Sequence, residues 1–213
     1  MVYGVYSVDR TLRFRVQSVA SSYNVLFLNG AIVPPYDARA VANFLLDLAE
    51  RDGKEVSNLV LQKLVYFAHG RHLHVSGRPL VNGEFEAWEY GPVHTHVYHA
   101  FKDHGKQPID TRAVAVNPVT QEQRIIPPIE DALARDVVKS IYEALKSRSP
   151  TSLVALSHAK GAPWDLVVRR AKNRESISMR ISNEVIREHF RFHAINILTE
   201  QGTDTPHENN PFA

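Results

Sequence analysis

The fold is decided by the stretch Leu61-Gln62-Lys63-Leu64-Val65-Tyr66-Phe67-Ala68-His69-Gly70. Ser57 lies where a helix N-cap would stand, and Gly77 follows where such a helix would end. Between them, apolar residues recur at helical spacing and also occupy the other sides of the helix. A helix that is apolar nearly all round belongs at the centre of a bundle, so residues 58–75 are predicted to form the central helix.

Further helices are predicted on both sides of this central one. Asp37 is the expected N-cap of a helix that Gly53 closes, and Pro92 is expected in the first turn of a helix that reaches His104. The remaining predicted helices cover residues 128–147, 150–157, 163–171 and 182–198. Alternating residues predict a short strand at 84–90 and a hairpin formed by 113–116 and 124–126. The predicted fold class is therefore mainly α, a compact multi-helix domain with a small β-hairpin or sheet.

The chain divides into three parts at changes in composition. Pro34-Pro35 marks the end of an N-terminal extension, residues 1–36, for which short strands at 11–19 and 23–28 are predicted. Residues 37–200 form the helical domain. Residues 201–213 are predicted to be a disordered tail.

Composition narrows the classes of function. Three of the 25 basic residues and one of the 23 acidic residues lie in residues 1–36, so 22 of each sign remain in the rest of the chain. This balance does not favour direct nucleic-acid binding. No apolar run is long enough for a membrane helix, and we expect a cytoplasmic protein. The absence of cysteine excludes disulfides, thiolate metal sites and a cysteine nucleophile.

Several groups of residues could in principle form catalytic or metal sites. His69 and His72 could share a helix face, but their spacing does not form a recognised zinc motif, and no metal or other cofactor is predicted. Glu84 and Glu86 are better explained as a solvated strand face than as an acid–base pair. The basic cluster at 169–174 is typical of a solvated helix end. No nucleophile elbow or phosphate loop is present, so catalytic residues are not predicted.

A series of motifs resembles the Panacea domain, the family of SocA-like antitoxins and related phage-associated proteins. Besides the stretch quoted above, the motifs are Glu86-Ala87-Trp88-Glu89-Tyr90-Gly91-Pro92-Val93, Tyr98 with Phe101, Leu156-Ser157-His158 and Ala162-Pro163-Trp164. They follow one another in order and spacing, and the resemblance covers about residues 37–195.

The resemblance implies an antitoxin of a type II toxin–antitoxin system, which neutralises a cognate protein toxin by direct binding. It implies no catalytic residues, and a Clp-type protease is a further partner if the protein delivers its toxin for degradation. Two alternatives stay open beside it. One is a proteolytic adaptor, or a phage or mobile-element protein that binds a host factor, and the other is a histidine- and metal-dependent enzyme.

Two sets of residues are singled out within the motifs. The proposed toxin interface combines aromatic anchors with acids, which would complement a basic partner: Glu86, Trp88, Glu89, Tyr90 and Tyr98. The residues expected to specify the fold are Lys63, Tyr66, Gly91, Pro92, His158, Pro163 and Trp164. Because Lys63 lies among apolar neighbours, its ammonium must reach water or find a partner, and Glu86 is the predicted partner.

Overall fold

A computed structural model of the protein describes residues 26–28 and 31–190. Near its N-terminal end, strands β1 (Leu26–Leu28) and β2 (Ala31–Val33) pair antiparallel. Strand β1 coincides with the end of the strand predicted at 23–28. The strand predicted at 11–19, the last part of the helix predicted at 182–198 and the tail at 201–213 lie outside the described residues.

Seven α-helices make up about half of the described part of the chain. They are α1 (Ala38–Arg51), α2 (Asn58–Ser76), α3 (Thr95–Phe101), α4 (Ala132–Leu145), α5 (Pro150–Ser157), α6 (Pro163–Lys172) and α7 (Asn183–His189). A short 3₁₀ turn, Lys102–His104, follows α3. The carboxylate of Asp37 accepts the main-chain N–H of Arg39, as expected for an N-cap, whereas the Ser57 side chain makes no such bond.

The strands form small antiparallel sheets between the helices. Strands β3 (Phe85–Trp88), β4 (Gly91–Val93) and β7 (Arg180–Ile181) make one sheet in the order β4-β3-β7. Strands β5 (Val114–Val116) and β6 (Gln123–Ile125) form the hairpin predicted near these positions. The prediction of a mainly α fold with a small sheet is confirmed.

The prediction for Pro92 is wrong. Instead of opening a helix, Pro92 lies in β4 opposite Ala87 of β3, and α3 begins only at Thr95. Gly91, with φ of 96°, lets the chain reverse after the two turn residues Glu89 and Tyr90. Proline is tolerated in β4 because this strand is at the edge of its sheet.

Helix α2 lies at the centre of the core, as predicted from its apolar surface. Every residue from Leu61 to Gly70 is buried. The Tyr66 ring meets the rings of Phe67 and Phe85 edge-on, with centroids 5.3 and 5.4 Å apart. Gly70 leaves the space that the Phe190 ring occupies at the end of α7.

Within the described residues, α2 and the other helices include none that is both long and apolar enough to cross a membrane.

Candidate functional site

The β3–β4 hairpin brings together the residues predicted to contact a partner. The indole N–H of Trp88 donates to the Glu86 carboxylate at 2.8 Å, so these two side chains share one face of β3. The Trp88 ring meets the Tyr98 ring of α3 with centroids 4.8 Å apart at 62°. Both rings are half-buried.

The turn of the hairpin carries the other two predicted residues. Glu89 and Tyr90 join β3 to β4, and both are exposed, with Tyr90 60% accessible to solvent. Tyr90 therefore lies in the turn, and not in the strand that was predicted at 84–90. We call Glu86, Trp88, Glu89, Tyr90 and Tyr98 together the hairpin surface.

A buried lysine of the central helix binds the main chain of this hairpin. Lys63 of α2 is completely buried, and its ammonium donates to the main-chain oxygen of Pro92 in β4 at 2.8 Å. Because burial disfavours the charged form, the pKa of Lys63 falls to about 7.

The predicted pairing of Lys63 with Glu86 is wrong. The Glu86 carboxylate accepts from Trp88, and the Lys63 ammonium is held by the main chain of the neighbouring strand. With its pKa lowered to about 7, the amine can be buried in its neutral form, whereas a charged pair requires the desolvation of two ions.

Gly91 fits tightly against the same lysine. A Cβ atom at this position would lie 2.9 Å from Lys63 Nζ and would overlap Ser157 Oγ at the end of α5. The Ser157 hydroxyl is itself turned to the main-chain oxygen of Val154 at 2.8 Å. The absence of a side chain at Gly91 thus lets α2, α5 and the hairpin meet.

Trp164 and His158 join two more helices to the hairpin. The indole N–H of Trp164 donates to the main-chain oxygen of Trp88 at 2.8 Å. The His158 ring stacks on the Trp164 ring with centroids 3.6 Å apart at 11°. Burial, and secondly the charge of Lys63, lower the pKa of His158 to about 4. Pro163 occupies the first turn of α6, where its missing N–H costs no hydrogen bond.

Two polar side chains on α2 were not predicted to matter, yet they position the start of α3. Gln62 Oε1 accepts the main-chain N–H of His94 at 2.8 Å, and Asn58 Nδ2 donates to the main-chain oxygen of Tyr98 at 3.4 Å. Asn58 and Gln62 also contact each other, at 3.3 Å. The signal in the sequence was their spacing of four residues on an otherwise apolar helix.

His69 and His72 of α2 have separate hydrogen-bond partners. His69 Nε2 lies 2.8 Å from Asn183 Oδ1, and His72 Nδ1 lies 2.9 Å from the main-chain oxygen of Arg78. Burial lowers the pKa of His69 to about 4, which favours the neutral ring. Among the described residues, no three His, Asp or Glu side chains are grouped as metal ligands would be.

Comparison with known proteins gives the family. A sequence model described as "Antitoxin SocA-like, Panacea domain" matches residues 61–165. The chain is also 41% identical over 175 residues to the protein named Antitoxin SocA of Caulobacter vibrioides (strain NA1000 / CB15N), which covers 82% of this chain and 93% of that protein. The chain belongs to the SocA-like antitoxin family. No solved structure gave a significant match. The match to the SocA-like, Panacea domain includes the whole hairpin surface together with Lys63, His158 and Trp164.

Proposed function

We propose that this protein is the antitoxin of a type II toxin–antitoxin pair and neutralises its cognate protein toxin by direct binding. The observation that carries the proposal is the 41% identity to Antitoxin SocA along nearly the full length of that protein. The partner is a toxin, the compartment is the cytoplasm, and neutralisation requires neither a cofactor nor a catalytic group.

The hairpin surface is the proposed toxin interface. It contains the half-buried rings of Trp88 and Tyr98, which contact each other, and the exposed ring of Tyr90 in the adjoining turn. Large aromatic side chains are frequent anchors at protein interfaces. The surface also carries two carboxylates: that of Glu86 accepts from Trp88, and Glu89 is an exposed residue of the turn. An aromatic and acidic surface fits a basic region of the toxin.

The rigidity of the hairpin also supports this role. Lys63 and Trp164 donate to main-chain oxygens on its two strands, at Pro92 and Trp88. These bonds fix the backbone that carries Glu89 and Tyr90, so little conformational entropy would be lost there on binding.

Co-expression with the toxin encoded by the neighbouring gene tests the proposal. We expect the wild-type protein to restore growth and to purify as a stable complex with the toxin. Growth inhibition that persists despite soluble expression of this protein would contradict the proposal. Repeating the assay in cells without the Clp-type protease separates two routes: rescue that persists supports neutralisation by binding, and rescue that disappears indicates delivery for degradation.

A further inference from the structure

A concave surface that shares no residue with the hairpin surface lies between α1 and the β5–β6 hairpin. We call it the α1–β6 groove, and its volume is about 610 Å³. Its apolar lining includes Phe44, Leu48, Ile125, Ile126 and Ile129. A volume of this size is typical of sites that hold a ligand or a short peptide.

The rim of the groove exposes apolar side chains that a folded protein ordinarily covers. Ile125 of β6 is 88% exposed, and Val114 of β5 is 37% exposed. Strand β6 pairs only with β5 within the described part of the chain, so its other edge is open to a further strand. An extended peptide could add to this edge and place alternate side chains in the groove.

The charges in the groove favour an acidic occupant. Arg112 is already held by the carboxylates of Asp47 and Glu50, at 2.7 and 2.6 Å. Arg135 has no carboxylate partner among the residues described. Its guanidinium lies 4.9 Å over the Phe44 ring and donates to the main-chain oxygen of Ile129 at 3.2 Å.

Arg135 thus presents a positioned guanidinium at an apolar wall, a combination suited to binding a carboxylate next to an apolar side chain. Arg51, which also lines the groove, has a side chain 64% exposed and lies 3.7 Å from Asp52. The positive charge of the groove is therefore only partly neutralised by the protein itself.

We propose that the α1–β6 groove binds an extended segment of a partner protein that carries apolar and acidic side chains, with Arg135 binding a carboxylate of that segment. This surface differs in charge from the acidic hairpin surface. The protein would then hold two partner segments of opposite charge at separate sites.

A random peptide library displayed on phage, selected against the full-length chain, tests the proposal without knowledge of the partner. We expect enriched peptides in which acidic residues stand beside apolar ones. Fluorescence anisotropy of the enriched peptides should show at least about tenfold weaker binding to Arg135→Met, which keeps an apolar side chain over Phe44 but removes the charge. Ile125→Ser should also weaken binding, and it should leave the fold intact because Ile125 is exposed.

Arg124→Met is the matched control, because Arg124 lies on β6, pairs with Glu122 at 2.9 Å and does not line the groove. Thermal unfolding of each variant establishes that the fold is intact. Arg135→Glu should reverse the selection and enrich basic peptides.

Four results would overturn the proposal: no enrichment, enriched peptides that bind Arg135→Met as well as wild type, peptides that match this chain's own sequence, or a dimer that Arg135→Met dissociates. The third would make another part of this chain the occupant, and the fourth a second copy. None of them bears on toxin neutralisation, which is assayed through the hairpin surface.

Discussion

The ammonium of Lys63 donates to the main-chain oxygen of Pro92 at 2.8 Å, and this bond joins the central helix to the edge strand of the hairpin. Lys63 is completely buried, so the protein accepts the desolvation of an amine at the centre of its core. Through this bond, the buried helix α2 also fixes the backbone of the proposed toxin interface.

The buried amine predicts a rise in stability with pH. The pKa of Lys63 falls from 10.5 to about 7, so between these values the unfolded chain binds more protons than the folded one. The contribution of neutral Lys63 to the free energy of unfolding is fully present above pH 10.5, and it is lost as the pH falls to about 7. We expect the free energy of unfolding to rise by at most about 1.4 kcal/mol per pH unit from this residue.

Urea unfolding at pH 7, 8 and 9 measures this rise, which Lys63→Met should remove. Lys63→Met should also be less stable than wild type at pH 9, by about 1–3 kcal/mol, because the oxygen of Pro92 loses its donor. Lys160→Met, at an exposed position, is the control that should keep the wild-type slope. Equal slopes for wild type and Lys63→Met would show that the buried amine does not titrate in this range.

Substitution of Gly91 should be costly for two separate reasons. Gly91→Ala adds a Cβ atom against Ser157 Oγ and Lys63 Nζ, and it forces a side chain to adopt φ of 96°. We expect a loss of about 2–4 kcal/mol in the free energy of unfolding. Gly53→Ala, with φ of 63° and open space around the position, should lose only about 1 kcal/mol.

A double-mutant cycle separates overlap from backbone strain. Because Ser157→Ala removes the hydroxyl that the new Cβ would meet, Gly91→Ala should cost less in that background. Equal costs for Gly91→Ala and Gly53→Ala would refute the tight fit described here.

The stacked histidine predicts sensitivity to acid. The pKa of His158 is lowered to about 4 by burial and then by Lys63, so the folded chain keeps a neutral ring at pH 5 while the unfolded chain is protonated. The contribution of neutral His158 to the free energy of unfolding is fully present above pH 6.5. It decreases towards pH 4, by at most about 1.4 kcal/mol per pH unit.

His158→Phe keeps a ring on Trp164 and removes the titration, so its unfolding free energy should fall less steeply between pH 6.5 and 4.5. The substitution breaks no hydrogen bond at Nε2, which is buried without a partner in the described structure. Chemical unfolding at several pH values measures the slope, with exposed His74→Gln as the control. A slope unchanged in His158→Phe would mean that this ring is protonated in the folded protein.

The sequence predicted the helices well where local signals and burial agree. The apolar surface of residues 61–70 identified the central helix, and Asp37 and Pro163 marked helix starts. Strand β4 was missed because Gly91-Pro92 is also typical of a helix start. Residues 91–93 form a strand because they pair with β3, and the three residues themselves do not indicate this pairing. Strand β7 has two residues, too few for any periodicity.

The grouping of Glu86, Trp88 and Tyr98 was predictable from the sequence, but the hydrogen bonds around the hairpin were less so. Trp88, Tyr98 and Glu86 come together as their motif suggested. The partner of Lys63 was predicted wrongly because the sequence shows only side-chain charges, whereas the main-chain oxygen of Pro92 comes into reach only through the hairpin. Because every residue has a main-chain oxygen, residue types do not show which of these oxygens accepts a side-chain hydrogen bond.

Binding of the purified protein to its cognate toxin, measured by calorimetry, tests the central claim most directly. Glu89→Arg with Tyr90→Ala changes only exposed turn residues, so affinity should fall at least about tenfold while the thermal midpoint stays within a few degrees of wild type. The control, Glu55→Arg with Leu133→Ala, makes matched changes at exposed positions elsewhere and should bind as wild type does. Wild-type affinity in the hairpin variant would contradict the account, because the toxin would then bind another surface.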